Sequence, residues 1–253
     1  MASTEPERSV LQPAGLRRRV IFWRHGRTSW NAARRFQGQS DIPLDEVGAS
    51  QASRAASLLA GKLVRHGPEF HGNEPTMQIL SSDLSRAFST AQQLATLTGG
   101  DVLVDPRLRE TFGGDWEGKT FDEIIEQFPE QIQKWQRDEP GVRAGGGETR
   151  VEVAHRMVAA VLENVEALPD GGTLVVTTHG GATRVAVAQM LGLPEHLWRT
   201  LSGLSNCHWS VLEASQSAAA GNGIGNWRLL EHNVGTLPEP YELPEDLAEP
   251  VED

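Results

Sequence analysis

Val20-Ile21-Phe22-Trp23-Arg24-His25-Gly26 is an apolar run that ends in an arginine, a histidine and a glycine. Far down the chain, Thr173-Leu174-Val175-Val176-Thr177-Thr178-His179-Gly180-Gly181 has the same plan. Both runs read as strands. Each delivers a histidine at its C-terminal end, with glycine next and a helix-like segment beyond. Ligands of open α/β sheets bind along that edge. A histidine there can act as a nucleophile, and an adjacent arginine can hold an oxyanion. The two strand ends together point to phosphoryl transfer through a phosphohistidine.

The rest of the chain fits this frame. Residues 1–16 are polar with Pro and Gly and are expected to be disordered. A strand is predicted over residues 19–24, and the arginine-rich stretch from Gly26 to Gln39 reads as a loop or short helix. Leu44, Val47, Ala52, Ala55, Leu58, Leu59 and Leu63 recur at helical spacing. A loop over residues 65–75 precedes a short strand from Met77 to Ser81. Asp83 is the expected N-cap of the next helix, which Gly99-Gly100 ends. A third strand is predicted over Val102–Val104. The glycine-rich, charged stretch from Leu108 to Gly118 reads as a functional loop. A helix over residues 120–137 is interrupted at Pro129, and Gly145-Gly146-Gly147 reads as a flexible break. Ala154 to Leu168 has the pattern of a long amphipathic helix. Ala182 to Leu191 is apolar nearly all round, as in a buried helix. A short helix runs from Pro194 to Leu201. His208–Leu212 and Trp227–Leu230 are expected to pair as a hairpin at a sheet edge, joined by a Gly/Asn/Ser-rich loop. The order predicts an α/β fold, a three-layer α/β/α sandwich on a mixed, mostly parallel sheet. Residues 17–234 form its single domain and 235–253 an acidic tail.

Composition narrows the partners. The formal net charge of −11 argues against non-specific nucleic-acid binding. The charge is uneven: residues 236–253 carry seven acidic residues and no basic one, whereas residues 1–35 carry eight arginines and two glutamates. A small anionic substrate can thus meet a locally positive site on an acidic protein. Cys207 is the only cysteine, which excludes an internal disulfide and fits a reducing compartment. No apolar run approaches the roughly 18 residues of a membrane span, and nothing at the N-terminus reads as a signal peptide. The expected setting is the cytoplasm, with no membrane partner. Pairing of two copies through an edge strand is left open.

The segment Val20 to Asn31, VIFWRHGRTSWN, resembles the signature of the histidine phosphatase superfamily, the phosphoglycerate-mutase-like group. Four further segments match it in order: Leu80 to Ala91, Leu108 through Gly118, Gly146-Gly147-Glu148, and Thr178 to Gly181. The resemblance spans roughly residues 18 to 233, and five motifs in the right order are specific where one alone is weak. It implies a metal-independent phosphomonoesterase without a cofactor. Within the family the segments, with Phe36-Gln37-Gly38-Gln39 and Gly203-Leu204-Ser205-Asn206, are most similar to the actinobacterial glucosyl-3-phosphoglycerate phosphatases. That implies a small phosphorylated sugar or carboxylate as substrate. The Thr111–Lys119 loop resembles phosphatases rather than cofactor-dependent mutases. Phosphoglycerate mutase and a catalytically inactive phosphoester-binding protein are the alternatives.

Candidate roles follow from residue chemistry and the matched motifs. His25 is the nucleophile. Arg24 and Arg86 clamp the phosphoryl group in a fixed plane, as lysine cannot. His179 donates to a phosphoryl oxygen and adds positive charge when protonated. The resemblance implies that Asn31 binds phosphate, and Gln37 binds phosphate or a substrate hydroxyl, with turn formation the rival role for both. Glu110 protonates the leaving oxygen and then activates water, given a buried, neutral-leaning carboxyl. Asp115, Glu117 and Glu148 are its rivals, of which Glu117 reads as a loop organiser and Glu148 as a helix cap or a neighbour of the nucleophile. Arg27, Arg34 and Arg35 divide between surface roles and substrate contacts. Trp23 stands where the family usually has a smaller aliphatic residue and is expected at the pocket floor; Trp116 is expected to wall the pocket. The remaining histidines read as structural, and His66 and His71 lack the supporting ligands of a metal site.

Overall fold

In a computed structural model, the described residues are 17–65, 77–139, 141–169, 171–214 and 227–235. Residues 1–16, expected to be disordered, the acidic tail beyond residue 235, residues 215–226, expected to join the hairpin, and His66 and His71 lie outside them. Six strands form one sheet: β1 (Arg19–Arg24), β2 (Met77–Ser81), β3 (Val102–Val104), β4 (Thr173–Thr178), β5 (Trp209–Ala214) and β6 (Trp227–Val234). Their order is β3-β2-β4-β1-β5-β6. The first four are parallel, and β5 and β6 run antiparallel to their neighbours at one edge. The mixed, mostly parallel sheet expected from the sequence is therefore the one observed.

Strand periodicity sorts side chains into two cores. Val20 and Phe22 of β1, with Leu174 and Val176 of β4, face one side. There they meet α6 (Arg150–Glu166) and α7 (Gly180–Met190). Ile21 and Trp23, with Val175, face the other side against α2 (Glu46–Arg65) and α3 (Ser85–Thr98). Burying one such large apolar side chain contributes roughly 1.5–3 kcal/mol. The central strands are buried on both faces, as parallel strands are. Trp23, expected at the pocket floor, is instead part of the second core, its Nε1 donating to Cys207 O at 3.2 Å.

The chain leaves β1 and β2 toward the α2/α3 face and leaves β4 toward the α7 face. A crevice opens at the C-terminal edge where adjacent strands send their connections to opposite sides. Gly26 lines the entry to this crevice. A Cβ there would lie 2.3 Å from Gly48 O of α2, so only glycine lets that helix backbone approach.

A third, smaller cluster lies over the crevice side. Trp116, Ile124, Ile132 and Ala144 pack with Phe36, Phe128 and Trp135. α1 (Ser29–Ala32), α4 (Phe121–Gln127) and α5 (Pro129–Gln136) belong to this region of the chain, and Pro129 divides α4 from α5 as the sequence indicates. Trp116 is fully buried here, so it is a core residue and not a pocket wall. The three-glycine run is also not a flexible break. It forms a 3-10 turn in which Gly145 has φ 54°, and a Cβ on Gly147 would lie 2.0 Å from Phe112 O. Gly145 and Gly147 are glycine because two backbones touch, and Gly146 because its φ is 82°. The segment from Pro194 folds as a 3-10 helix over Glu195–Thr200. The expected cap at Asp83 fails as well. Asp83 pairs with Arg109, and Asp41 fills the N-terminus of α3 by accepting from Ser85 N at 2.8 Å.

Candidate active site

β1 and β4 are paired in register, Arg24 opposite Thr178, so His25 and His179 leave adjacent strands at the same edge. His25 N continues the ladder with a 3.0 Å bond to Thr178 O. The two imidazole centroids are 5.1 Å apart. His25 is buried, and its Nδ1 lies 2.7 Å from Gly26 O. A carbonyl only accepts, so Nδ1 carries the proton and the lone pair is on Nε2. Burial, then Arg86 and Arg24, hold the imidazole well below its ordinary value of 6.5. His25 is therefore neutral near pH 7 with a free Nε2, the form that can attack phosphorus.

His179 is fully buried, its Nε2 3.0 Å from Ser82 Oγ. Burial first, then Arg86, His25 and Arg24, push it well below 6.5. It is a neutral hydrogen-bonding ring in this state, so the positive charge it would add when protonated is absent near neutral pH. Ser82 directly follows β2, so a third strand end reaches the site.

Arg86, in the first turn of α3, has no exposed surface. Its Nη1 donates to Ser40 O at 2.7 Å and its Nη2 to Gly38 O at 2.8 Å. Arg24 Nη1 donates to Leu204 O at 2.6 Å. Burial lowers both guanidinium groups, Arg86 to about 10, while Glu110 opposes the shift. Both remain cationic at neutral pH. Arg24 Nε, Arg86 Nε and His179 Nδ1 are buried with no protein partner. Buried polar nitrogens in native structures nearly always have partners. Those of two cations grouped about a neutral histidine are suited to an oxyanion.

The Glu110 carboxylate accepts from Gly181 N at 3.0 Å, Ala182 N at 2.9 Å and Thr111 N at 2.8 Å. Gly181 and Ala182 begin α7, whose N-cap His179 makes no side-chain cap. Glu110 thus caps that helix from another part of the chain, where a negative charge is favoured. It is half-buried and not the enclosed carboxyl the sequence reading required. Asn31 Oδ1 caps α1 through Thr28 N at 3.2 Å and accepts from Asn206 Nδ2 at 3.2 Å, and Asn206 Nδ2 also donates to His25 O at 3.1 Å. Gln37 accepts from Thr28 Oγ1 at 2.9 Å.

The rivals to Glu110 have other partners. Glu117 collects Gln39 N, Ser40 N and Gly113 N, and so orders the loop whose carbonyls hold Arg86. Glu148 accepts from Phe112 N and from Arg156. The cap of α6 is Thr149, not Glu148. Asp115 is exposed. Arg27 pairs with Asp45, and Arg35 donates to Gly118 O.

The family model of the histidine phosphatase superfamily (branch 1) matches residues 20–225. The chain belongs to the histidine phosphatase superfamily. A glucosyl-3-phosphoglycerate phosphatase of Mycolicibacterium vanbaalenii is 38% identical over 221 residues, covering 84% of this chain and 92% of the relative. A probable phosphoglycerate mutase of Photorhabdus laumondii is 37% identical over 204 residues, covering 81% of this chain and 88% of the relative. A mycobacterial glucosyl-3-phosphoglycerate phosphatase solved with VO3 superposes with a TM-score of 0.75 at 37% identity, covering 86% of this chain and 100% of that one. The protein is a phosphatase of this superfamily and takes small phosphorylated substrates.

In this histidine phosphatase, the structure brings Arg24, His25, Arg86, His179 and Glu110 to one strand edge, with Asn31 and Gln37 hydrogen-bonded to Thr28, and Asn31 also to Asn206. Sequence reading passed over Ser82, Asn206 and Arg156. Ser82 and Asn206 stood inside quoted motifs, so spacing could have raised them. Arg156 sits on an amphipathic helix and carries no local signal. Among the described residues no helix is long and apolar enough to cross a membrane, and no cluster of three or more His, Cys, Asp or Glu could hold a metal ion.

Proposed function

We propose that the protein hydrolyses phosphomonoesters through a phospho-His25 intermediate without a metal, with glucosyl-3-phosphoglycerate or a related small phosphorylated sugar or carboxylate as substrate. One observation carries this reading: neutral His25 offers Nε2 among the unpartnered buried nitrogens of Arg24, Arg86 and His179. In the first step Nε2 bonds to phosphorus, the ester P–O bond breaks, and Glu110 gives its proton to the leaving oxygen. In the second step water attacks phosphorus and loses its proton to Glu110. The P–N bond breaks and its electron pair returns to Nε2. The guanidinium groups and His179 Nδ1–H stabilise the equatorial oxygens in both steps, with Asn31 and Gln37 bordering the phosphoryl group.

Similarity to the mycobacterial phosphatases supports the substrate. Similarity to the Photorhabdus protein supports a second reading, in which phospho-His25 is retained and passed to another hydroxyl. The single cysteine, Cys207, which leaves no internal disulfide to form, supports a cytoplasmic setting. The test is phosphate release from glucosyl-3-phosphoglycerate, 3-phosphoglycerate, sugar phosphates and nucleotides, with and without chelator, against His25→Ala. Chelator-insensitive release that prefers the first substrate and vanishes in His25→Ala is expected. Isomerisation of 3-phosphoglycerate without net phosphate release would replace the hydrolase by the mutase.

A further inference from the structure

Arg156 lies on α6, and three of its five N–H donors serve the segment that carries Glu110 while the other two bind Glu148. Nη1 donates to Arg107 O at 2.7 Å and Arg109 O at 2.6 Å. Nη2 donates to Glu110 O at 2.9 Å and to Glu148 Oε2 at 2.8 Å, and Nε to Glu148 Oε1 at 2.8 Å. The remaining carbonyl of the segment, Leu108 O, accepts from Thr178 Oγ1 at 2.7 Å. Every carbonyl from residue 107 to 110 is thus held by a side chain, in a stretch with no regular backbone pairing at Glu110.

Glu148 fixes the guanidinium in turn. Its carboxylate takes both Arg156 bonds and also accepts from Phe112 N at 2.8 Å, two residues past Glu110. Burial alone would raise this carboxyl; the bonds from Arg156 and Phe112 outweigh it and hold Glu148 below its ordinary range. A lysine could replace the charge but not the planar fork.

We infer that Arg156, locked by Glu148, is a positioning residue that sets where the Glu110 carboxyl stands relative to His25. The inference rests on the reading of Glu110 as acid and base. A misplacement of about 1 Å in such a group can cost on the order of 100-fold in rate.

The test uses p-nitrophenyl phosphate, whose leaving group needs no proton. Phosphorylation of His25 then proceeds without the carboxyl, whereas dephosphorylation still needs it as base. Arg156→Met and Arg156→Lys are expected to keep a burst of p-nitrophenol equal to the enzyme concentration, at a rate close to wild type. Their steady-state turnover should fall by about 10- to 100-fold with KM changed less than about threefold, and the variants should shift the pH profile of turnover. Arg156→Lys keeps the charge and serves if Arg156→Met does not fold. A burst that slows in step with turnover would make Arg156 a general structural residue and overturn the inference. So would wild-type turnover in a folded variant. Glu110→Gln separates the two levels. If it retains turnover, the acid–base reading fails and this inference with it. If it loses turnover while the Arg156 variants do not, only this inference fails.

Discussion

His25 and His179 leave the sheet where β1 and β4 are hydrogen-bonded in register, whereas Glu110 sits in an irregular segment held by side chains. The first region is built by the main chain: three adjacent strand ends supply His25, Ser82 and His179, and burial on both faces leaves them little freedom. The second is built by a distributed set of contacts, from Arg156, Glu148, Thr178 and the first turn of α7. The difference teaches that one half of the site follows from strand pairing, while the other depends on single side-chain bonds that can be broken one at a time.

The largest expected effect lies in the strand-end half. His25→Ala should lower turnover by at least about 10⁴-fold, as loss of a covalent nucleophile does, with Tm little changed; a variant retaining a tenth of wild-type phosphate release would break the comparison at its root. Arg86→Lys keeps a cation and loses the fork. It should cost about 100-fold or more in kcat/KM, measured on the preferred ester, and an effect under about threefold would mean that Arg86 serves only the Gly38–Ser40 loop.

Burial of the two histidines gives a pH test. Both have folded-state pKa values below the ordinary 6.5. As pH falls below about 6.5 the unfolded chain takes up protons first, so stability is highest above that pH and declines from there toward the folded-state values. Tm should drop between pH 7.5 and 5.5, and His179→Gln should drop less. Equal drops would remove His179 from the explanation. The acid limb of kcat/KM should also lie below 6.5, because His25 stays unprotonated down to its lowered value.

Ser82→Ala removes one buried bond to His179 and should reduce kcat/KM by about 5- to 10-fold, the value of a hydrogen bond of about 1 kcal/mol. The smallest effect belongs to Asp83→Asn. Its pair with Arg109 joins the end of β2 to the Glu110 segment, but both side chains are partly exposed, at 26% and 36%. The loss in denaturant unfolding should stay below about 1 kcal/mol. A larger loss would show that the two regions are coupled through this pair.

The same division explains what could be read from the sequence. The β1 and β4 runs ending in His25 and His179 were legible because a buried parallel strand is a short continuous apolar run with its ligand group at a fixed end. Pro129 marked a real break between α4 and α5 for an equally local reason. Asp83 misled because a cap preference says nothing of Arg109, which reaches it from 26 positions away in the chain. Gly145 to Gly147 misled because a glycine run looks the same whether it is loose or pressed against Phe112. The charge state of His179 was not legible, because it depends on burial beside Arg86 that only the fold supplies. Arg156 was invisible because the carbonyls of residues 107, 109 and 110 reach it only by packing of α6 against the Glu110 segment.

The phosphoryl group is expected on His25 during turnover. Rapid quench of the enzyme with p-nitrophenyl phosphate, followed by intact mass and peptide analysis, measures it directly. One acid-labile phosphoryl group on the peptide containing His25, formed in the burst and absent in His25→Ala, is the predicted result. Turnover with no phosphoryl-enzyme at any time, or with the label on another residue, would contradict the account.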